Sequence, residues 1–222
     1  MNKNFIYSEN KTKFFDKIVQ KKRLEMVKII NDYFKEIKID SILDIGTTKD
    51  EDNESSNILI KSIEKKSVFK SISDQLITSS FFKKKLTKSI TEDFSKEEIY
   101  EFSSDLVISN ATIEHVGNAV NQEKMLKNII NLTKKFFVII TPNRYHPLEL
   151  HTLIPFVHWL PKKYHRKLLK FFGLNFYSDE KNLNLLSEND IKKMIEKEKI
   201  TYSFKYVRFL FFKSNLILFG EK

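Results

Sequence analysis

Ser41-Ile42-Leu43-Asp44-Ile45-Gly46-Thr47-Thr48 is the stretch that decides the fold. The run from Ser41 to Ile45 is mostly apolar or β-favouring, too short for a helix, and closed by a carboxylate and a glycine. That is the pattern of a buried strand in a parallel sheet. Gly46 lets the backbone turn sharply and leaves no Cβ between the chain and a ligand. In open α/β sheets ligands sit at the carboxyl ends of the strands, which is where Asp44 and Gly46 fall.

Working outward, residues 1–10 read as a loose arm and residues 12–37 as a helix. Ile18, Leu24, Val27, Ile30, Phe34 and Ile37 share one face of that helix, and lysines hold much of the other. The first strand spans 39–45. A polar loop, 47–53, leads to a short helix at 54–63 and a second strand at 68–73, ending at Asp74. Residues 81–86 are expected to be a short helix and 89–91 a third strand, with Glu92 and Asp93 at its end. Residues 105–109 form a clear fourth strand. Residues 118–133 form an amphipathic helix with Val120, Leu126, Ile129, Ile130 and Leu132 as its apolar set. Residues 135–140 form a fifth strand, stopped by Thr141-Pro142. Strands alternating with helices predict βαβ units and a mostly parallel sheet.

After Pro142 the composition shifts. Pro142, Pro147, Pro155 and Pro161 are the 4 prolines of the chain, and His146, His151, His158 and Trp159 lie among them. Residues 143–180 are read as an insertion of short helices forming a substrate cap, one helix starting at Pro161 and ending at Gly173. Ser187-Glu188-Asn189-Asp190 reads as a capping box opening a helix that runs to about Lys199. Residues 201–212 and 215–219 alternate in the manner of an antiparallel pair closing the sheet. With 222 residues the whole chain, 1–222, fits a single α/β domain.

Composition sets further bounds. The chain has 0 cysteines, which excludes disulfides and thiolate chemistry. The N-terminus lacks the apolar core of a signal peptide, and no run is long and apolar enough for a membrane span, so a soluble cytoplasmic protein is expected. The formal charge of +10 comes almost wholly from dispersed lysines, with Arg23, Arg144, Arg166 and Arg208 as the only arginines. Nucleic-acid readers favour arginine forks, so nucleic acid is not the expected partner. The absence of Gly-x-Gly-x-x-Gly argues against a nicotinamide or flavin enzyme.

Three stretches together resemble the class I S-adenosylmethionine-dependent methyltransferases: Leu43-Asp44-Ile45-Gly46; Asp105-Leu106-Val107-Ile108-Ser109-Asn110-Ala111-Thr112-Ile113-Glu114-His115-Val116; and Phe137-Val138-Ile139-Ile140-Thr141-Pro142-Asn143-Arg144. The second, ending in Glu-His-Val, is similar to the fourth-strand motif of many small-molecule members. His146-Pro147-Leu148-Glu149-Leu150-His151-Thr152 and His158-Trp159-Leu160-Pro161 look like a bacterial subgroup found near polysaccharide-synthesis functions. One position departs from the family pattern: Thr48 stands where a further glycine is usual.

The resemblance implies a Rossmann-like α/β fold with an antiparallel C-terminal strand pair, S-adenosyl-L-methionine as cofactor, and a small-molecule acceptor. By subgroup analogy alone, that acceptor is a hydroxyl on a nucleotide sugar or polysaccharide precursor. Ser109-Asn110-Ala111-Thr112 lacks the Asn-Pro-Pro-aromatic motif of enzymes that methylate base amino groups. Asp44, Gly46 and Thr47 are expected at the cofactor's amino-acid end, Asp74 on the ribose hydroxyls, Asp93 at the adenine amine, with Glu92 competing, and Asn110 beside the cofactor. His115 is the expected general base and His151 the reserve, because an imidazole titrates near neutrality. Arg144, Glu149 and Trp159 are expected to contact the acceptor. The wide, proline-interrupted spacing of His146, His151 and His158 does not match the tight ligand patterns of metal sites, and no metal is expected. Two other readings fit the sequence: a non-catalytic interaction module on a methyltransferase fold, and a basic protein that binds RNA or a membrane surface. Oligomeric state is not encoded in any motif.

Overall fold

A computed structural model describes residues 13–49, 57–149 and 151–222. The expected N-terminal arm, the start of the first helix and residues 50–56 of the loop after the first strand lie outside the described residues. The described elements run α1 (Lys13–Phe34), β1 (Ser41–Ile45), α2 (Ile58–Lys61), β2 (Val68–Ser73), β3 (Lys84–Thr87), α3 (Lys96–Phe102), β4 (Ser104–Asn110), α4 (Ala119–Leu132), β5 (Thr133–Pro142), α5 (Lys162–Phe171), α6 (Asn175–Ser178), α7 (Glu188–Ile195), β6 (Thr201–Phe209) and β7 (Phe212–Glu221). They build a 7-stranded sheet in the order β3-β2-β1-β4-β5-β7-β6. The β1–β2, β1–β4, β2–β3 and β4–β5 pairs are parallel. The β5–β7 and β6–β7 pairs are antiparallel. The chain has the mostly parallel Rossmann-like sheet with the antiparallel C-terminal pair that the sequence implies.

Two apolar layers follow from the period-two alternation of side chains along each strand. Leu43, Ile45, Val107, Phe137, Ile139, Leu216 and Leu218 pack with α4 and α7 on one face. Ile42, Leu106, Ile108, Val138, Ile140, Ile217 and Phe219 pack with α1 and α2 on the other. Strand β1 is therefore central and covered on both faces, the environment its apolar residues Ile42, Leu43 and Ile45 require. The order of strand addition reverses between the parallel neighbours β1 and β4: the crossovers from β1 run out toward β2 and β3, and those from β4 run toward β5. The crevice above these two strand ends is the topological switch point where such sheets bind ligands.

Three local expectations are corrected. Residues 81–86 do not form a helix; β3 begins at Lys84. Residues 89–91 are not a strand but a turn, closed by the Glu92 N–H donating to Ser89 O at 3.0 Å. The reason is that β3 is an edge strand. Its lysines are exposed, as suits an edge that must not pair with other chains, and they disguise it in the sequence. Helix α3 was not anticipated, although Ser95 opens it with a capping box completed by Glu98. Leu24 and Val120, assigned to buried helix faces, point to solvent.

Candidate functional site

A cavity of about 710 Å³ opens at the carboxyl ends of β1, β2 and β4. That is within the range of small-molecule and cofactor sites. Gly46 forms its floor with φ +86°, and a Cβ built there would lie 2.2 Å from Thr112 Oγ1. Only glycine serves this position, because Thr112 occupies the space beside it. The Thr112 hydroxyl is shared between the carbonyls of Ile45, at 3.3 Å, and Asn110, at 3.2 Å. The first and fourth strands are thus pinned together at the mouth of the crevice.

Beneath the floor, Asp44 is buried and does not line the cavity. The Thr47 hydroxyl donates to Asp44 Oδ2 at 2.5 Å and accepts from Ser71 Oγ at 2.7 Å, and Ser73 Oγ donates to Thr47 O at 2.7 Å. This network fixes the turn after β1 without a second glycine. Burial pushes the Asp44 carboxyl up to about 6, with the Thr47 hydrogen bond pulling the other way. Beyond it, Asn57 holds both ends of Thr48: its Oδ1 accepts from Thr48 N at 3.1 Å, and its Nδ2 donates to Thr48 O at 2.9 Å. The loop between those two residues lies outside the described set.

Asp74 follows the last residue of β2 and lines the cavity with an exposed carboxylate. Across from it stand Ser89, Ile90 and Thr91, the turn after β3, tied to α4 by Asn128 Nδ2 donating to Ile90 O at 2.6 Å. Because β3 ends earlier than expected, these residues line the cavity and Asp93 does not. Asp93 itself is 93% exposed at its side chain, pairs with Lys124 at 2.8 Å and is outside the cavity lining. Asn110 also lies outside the lining; Ala111 and Thr112, next in the chain, are in it.

At the other end of the cavity stands His115, in a short turn of helix after β4. Its Nδ1 lies 2.6 Å from the carbonyl of Asn182, so Nδ1 carries a proton and Nε2 is the ring nitrogen left to face other groups. Glu114, fully buried, accepts from Thr141 Oγ1 at Oε2 over 2.9 Å, while its Oε1 has no hydrogen-bond partner. His115 Nε2 is 3.9 Å from that Oε1. The His151 ring packs on the His115 ring at 5.1 Å between centroids. The structure therefore brings together the two histidines that the sequence put forward, and adds the buried Glu114. Sequence reasoning missed the residues that hold this turn. Asn184 donates from Nδ2 to Gly117 O at 2.8 Å, and Gln122 donates from Nε2 to Ile113 O at 3.0 Å and to Asn184 O at 2.8 Å.

The segment between β5 and α7 walls the cavity through Asp179, Glu180 and Lys181 rather than through the residues chosen from sequence. Arg144 donates from Nε to His158 O at 3.2 Å and from Nη2 to Leu160 O at 2.9 Å, which orders the segment's own backbone. Trp159 is 40% exposed and outside the lining. Glu149 is buried against His151, whose Nδ1 lies 2.5 Å from Oε1, and also accepts from the backbone N–H groups of His151 and Thr152. Burial raises its pKa, but these bonds and the His151 charge outweigh it and hold the carboxyl at about 2. His146 and His158 contact backbone carbonyls, Leu148 O at 2.7 Å and His146 O at 2.6 Å.

No family model matches the sequence, and no curated protein does. Solved structures do match in fold. Magnesium protoporphyrin IX methyltransferase from Synechocystis PCC 6803, with bound SAM, superposes with a TM-score of 0.56 at 11% identity, over 98% of this chain and 88% of the other. An O-methyltransferase family protein from Burkholderia thailandensis gives a TM-score of 0.58 at 10% identity, over 94% of this chain and 58% of the other. The N-methyltransferase NodS from Bradyrhizobium japonicum WM9, in complex with S-adenosyl-L-homocysteine, gives 0.53 at 8% identity, over 90% and 86%. With its strand order, its antiparallel last pair and its cavity at the switch point, the chain has the fold of the class I S-adenosylmethionine-dependent methyltransferases.

Proposed function

We propose that this chain is an S-adenosylmethionine-dependent methyltransferase acting on a hydroxyl of a small molecule, such as a nucleotide sugar or a polysaccharide precursor. The observation that carries the reading is one cavity with an exposed carboxylate, Asp74, at one end and the Glu114–His115–His151 cluster beside the other. The residues present fit the cofactor. Asp74 accepts from ribose hydroxyls, Ser89–Thr91 border the adenine, and Gly46 with Thr47 supplies bare backbone to the amino-acid end. Asp44 and Asn110 act from behind the lining by holding that backbone in place. Bound S-adenosylmethionine supplies an electrophilic methyl carbon on a sulfonium.

The acceptor enters from the side of His115, Asp179, Glu180 and Lys181. Lys181 offers a cation to an acidic acceptor. Arg144, Glu149 and Trp159 shape this side by ordering the 143–180 cap. The acceptor hydroxyl is activated at the histidine cluster, where Asn182 holds His115 in the tautomer that presents Nε2. A positioned base of this kind contributes about 10²–10⁴-fold. The neighbours are methyltransferases, so the non-catalytic and lysine-driven readings of the sequence are not favoured.

The test is transfer of labelled methyl from the cofactor to a panel of nucleotide sugars. His115→Ala is expected to lower turnover by at least about a hundredfold, with cofactor affinity unchanged. Cofactor binding without transfer to any hydroxyl acceptor would return the chain to the non-catalytic reading.

A further inference from the structure

We infer that Glu114, His115 and His151 form a binding site for a divalent transition-metal cation at the acceptor end of the cavity. One ligand atom from each residue lies within 4.8 Å of those of the other two. The three arrive from different places. Glu114 and His115 follow β4, and His151 comes from the segment after β5, so no spacing in the sequence announces the set. The histidine spacing considered in the sequence involved His146 and His158, both of which contact backbone carbonyls instead.

Two observations point to a ligand rather than to chance packing. The first is Glu114 Oε1. A fully buried carboxylate oxygen without a hydrogen-bond partner is costly, and this one lies 3.9 Å from His115 Nε2, a separation that two ligand atoms about 2 Å from one ion can span. The second is the support around the rings. His115 gives Nδ1 to the Asn182 carbonyl, and His151 gives Nδ1 to Glu149, itself fixed by two backbone N–H groups. A metal-ligating histidine characteristically donates its other ring N–H to a carboxylate or carbonyl in this way, which sets the tautomer and raises basicity. Thr141 does the same for Glu114 by donating to its second oxygen.

The donor set is two imidazoles and one carboxylate with no thiolate. That suits Zn²⁺, Co²⁺, Mn²⁺ or Fe²⁺ better than Mg²⁺ or Ca²⁺, which favour all-oxygen sites. Ligand atoms about 2.0–2.2 Å from a zinc ion sit about 3.3–3.5 Å apart in a tetrahedron, so the rings close in by roughly 1 Å on loading. Three protein ligands leave a coordination position open, and His115 lines the cavity, so that position faces the acceptor. This deepens the proposed methyl transfer. A cation bound there would polarise the acceptor oxygen and lower the hydroxyl pKa, the proton leaving to water, so that His115 would be a ligand in the metal-loaded protein and the base in the metal-free one.

The experiment titrates Co²⁺ and Zn²⁺ into tag-free, chelator-treated protein, following Co²⁺ d–d absorption and heat. S-adenosylmethionine binding is measured separately on the metal-free protein. One equivalent of Co²⁺ is expected, with a visible spectrum of low coordination number. Glu114→Gln and His151→Ala should each abolish the spectrum with native circular dichroism retained. Glu149→Gln should weaken binding by about 10–100-fold, as loss of a supporting bond does. Absence of a Co²⁺ spectrum and of Zn²⁺ heat in the wild type overturns the site, as does full binding by both Glu114→Gln and His151→Ala. If the cofactor still binds in that case, the methyltransferase reading stands with His115 as base. If metal binds and the cofactor does not, that reading fails and the metal site remains.

Discussion

Gly46→Ala is expected to lower the unfolding free energy by about 2–5 kcal/mol. Two costs combine. A side chain at φ +86° pays about 1–2 kcal/mol for left-handed backbone, and overpacking a tight site costs about 1–3 kcal/mol. The clash is specific, since the new Cβ would meet Thr112 Oγ1 at 2.2 Å and Thr112 Cγ2 at 2.7 Å. Denaturant unfolding of Gly46→Ala, Thr112→Ala and the double variant separates the two. The double variant should recover the overpacking part and keep the backbone part. Equal destabilisation with and without Thr112 would show that the contact is not the constraint on this turn. The same residues form the floor of the cavity, so loss of stability and loss of cofactor affinity should run together.

Asp44→Asn is expected to stabilise the protein at neutral pH, by up to about 3 kcal/mol, the equivalent of a shift from 3.8 to about 6 at 1.36 kcal/mol per unit. The folded-state pKa lies above the unfolded one, so the native state holds this proton more tightly. The wild type therefore loses stability as pH rises from about 4 to about 6 and keeps that deficit above it. The asparagine variant carries no such penalty, and Thr47 can still donate to its side-chain oxygen. Thermal unfolding of both proteins from pH 4 to pH 8 should show curves that converge at the acid end, separate between about pH 4 and about pH 6, and stay apart by a constant gap above. A variant less stable than wild type at every pH would mean that the Asp44 charge is compensated in the native state. That buried carboxylate costs stability without touching the cavity, which fits a residue kept for placing Thr47 and the turn after β1.

The central strands were legible because burial on both faces leaves short, mostly apolar β-favouring runs, Ile42, Leu43 and Ile45 in the first and Leu106, Val107 and Ile108 in the fourth. The helix caps at Asn118 and Ser187 were legible because each side chain accepts from the backbone three residues on. Strand β3 was hidden because an edge strand is written in lysine, and its misplacement by a few residues put Asp93 forward where Ser89, Ile90 and Thr91 line the cavity instead. Helix α3 could have been found from Ser95-x-x-Glu98. The cavity lining was legible where strand order alone fixes position, at Gly46, Thr47, Asp74 and His115. It was not legible where distant segments meet. Nothing near Glu114 announces that Asn182, Asn184 and His151 will close over it, and Arg144, a natural anion receptor in sequence, is engaged by two carbonyls of its own segment. Thr48, which stands where the family usually has glycine, is accommodated by Asn57, in a left-handed conformation at φ 56°, bonding to both of its ends.

The most direct test of the account is calorimetric titration of S-adenosylmethionine into the wild type and Asp74→Ala. Hydrogen bonds to a charged group contribute about 1.5–3 kcal/mol, so the variant should bind about ten- to a hundredfold more weakly, with unchanged unfolding stability. The predicted result is one site per chain in the wild type and this loss in the variant. No binding by the wild type, or equal binding by both proteins, would contradict it.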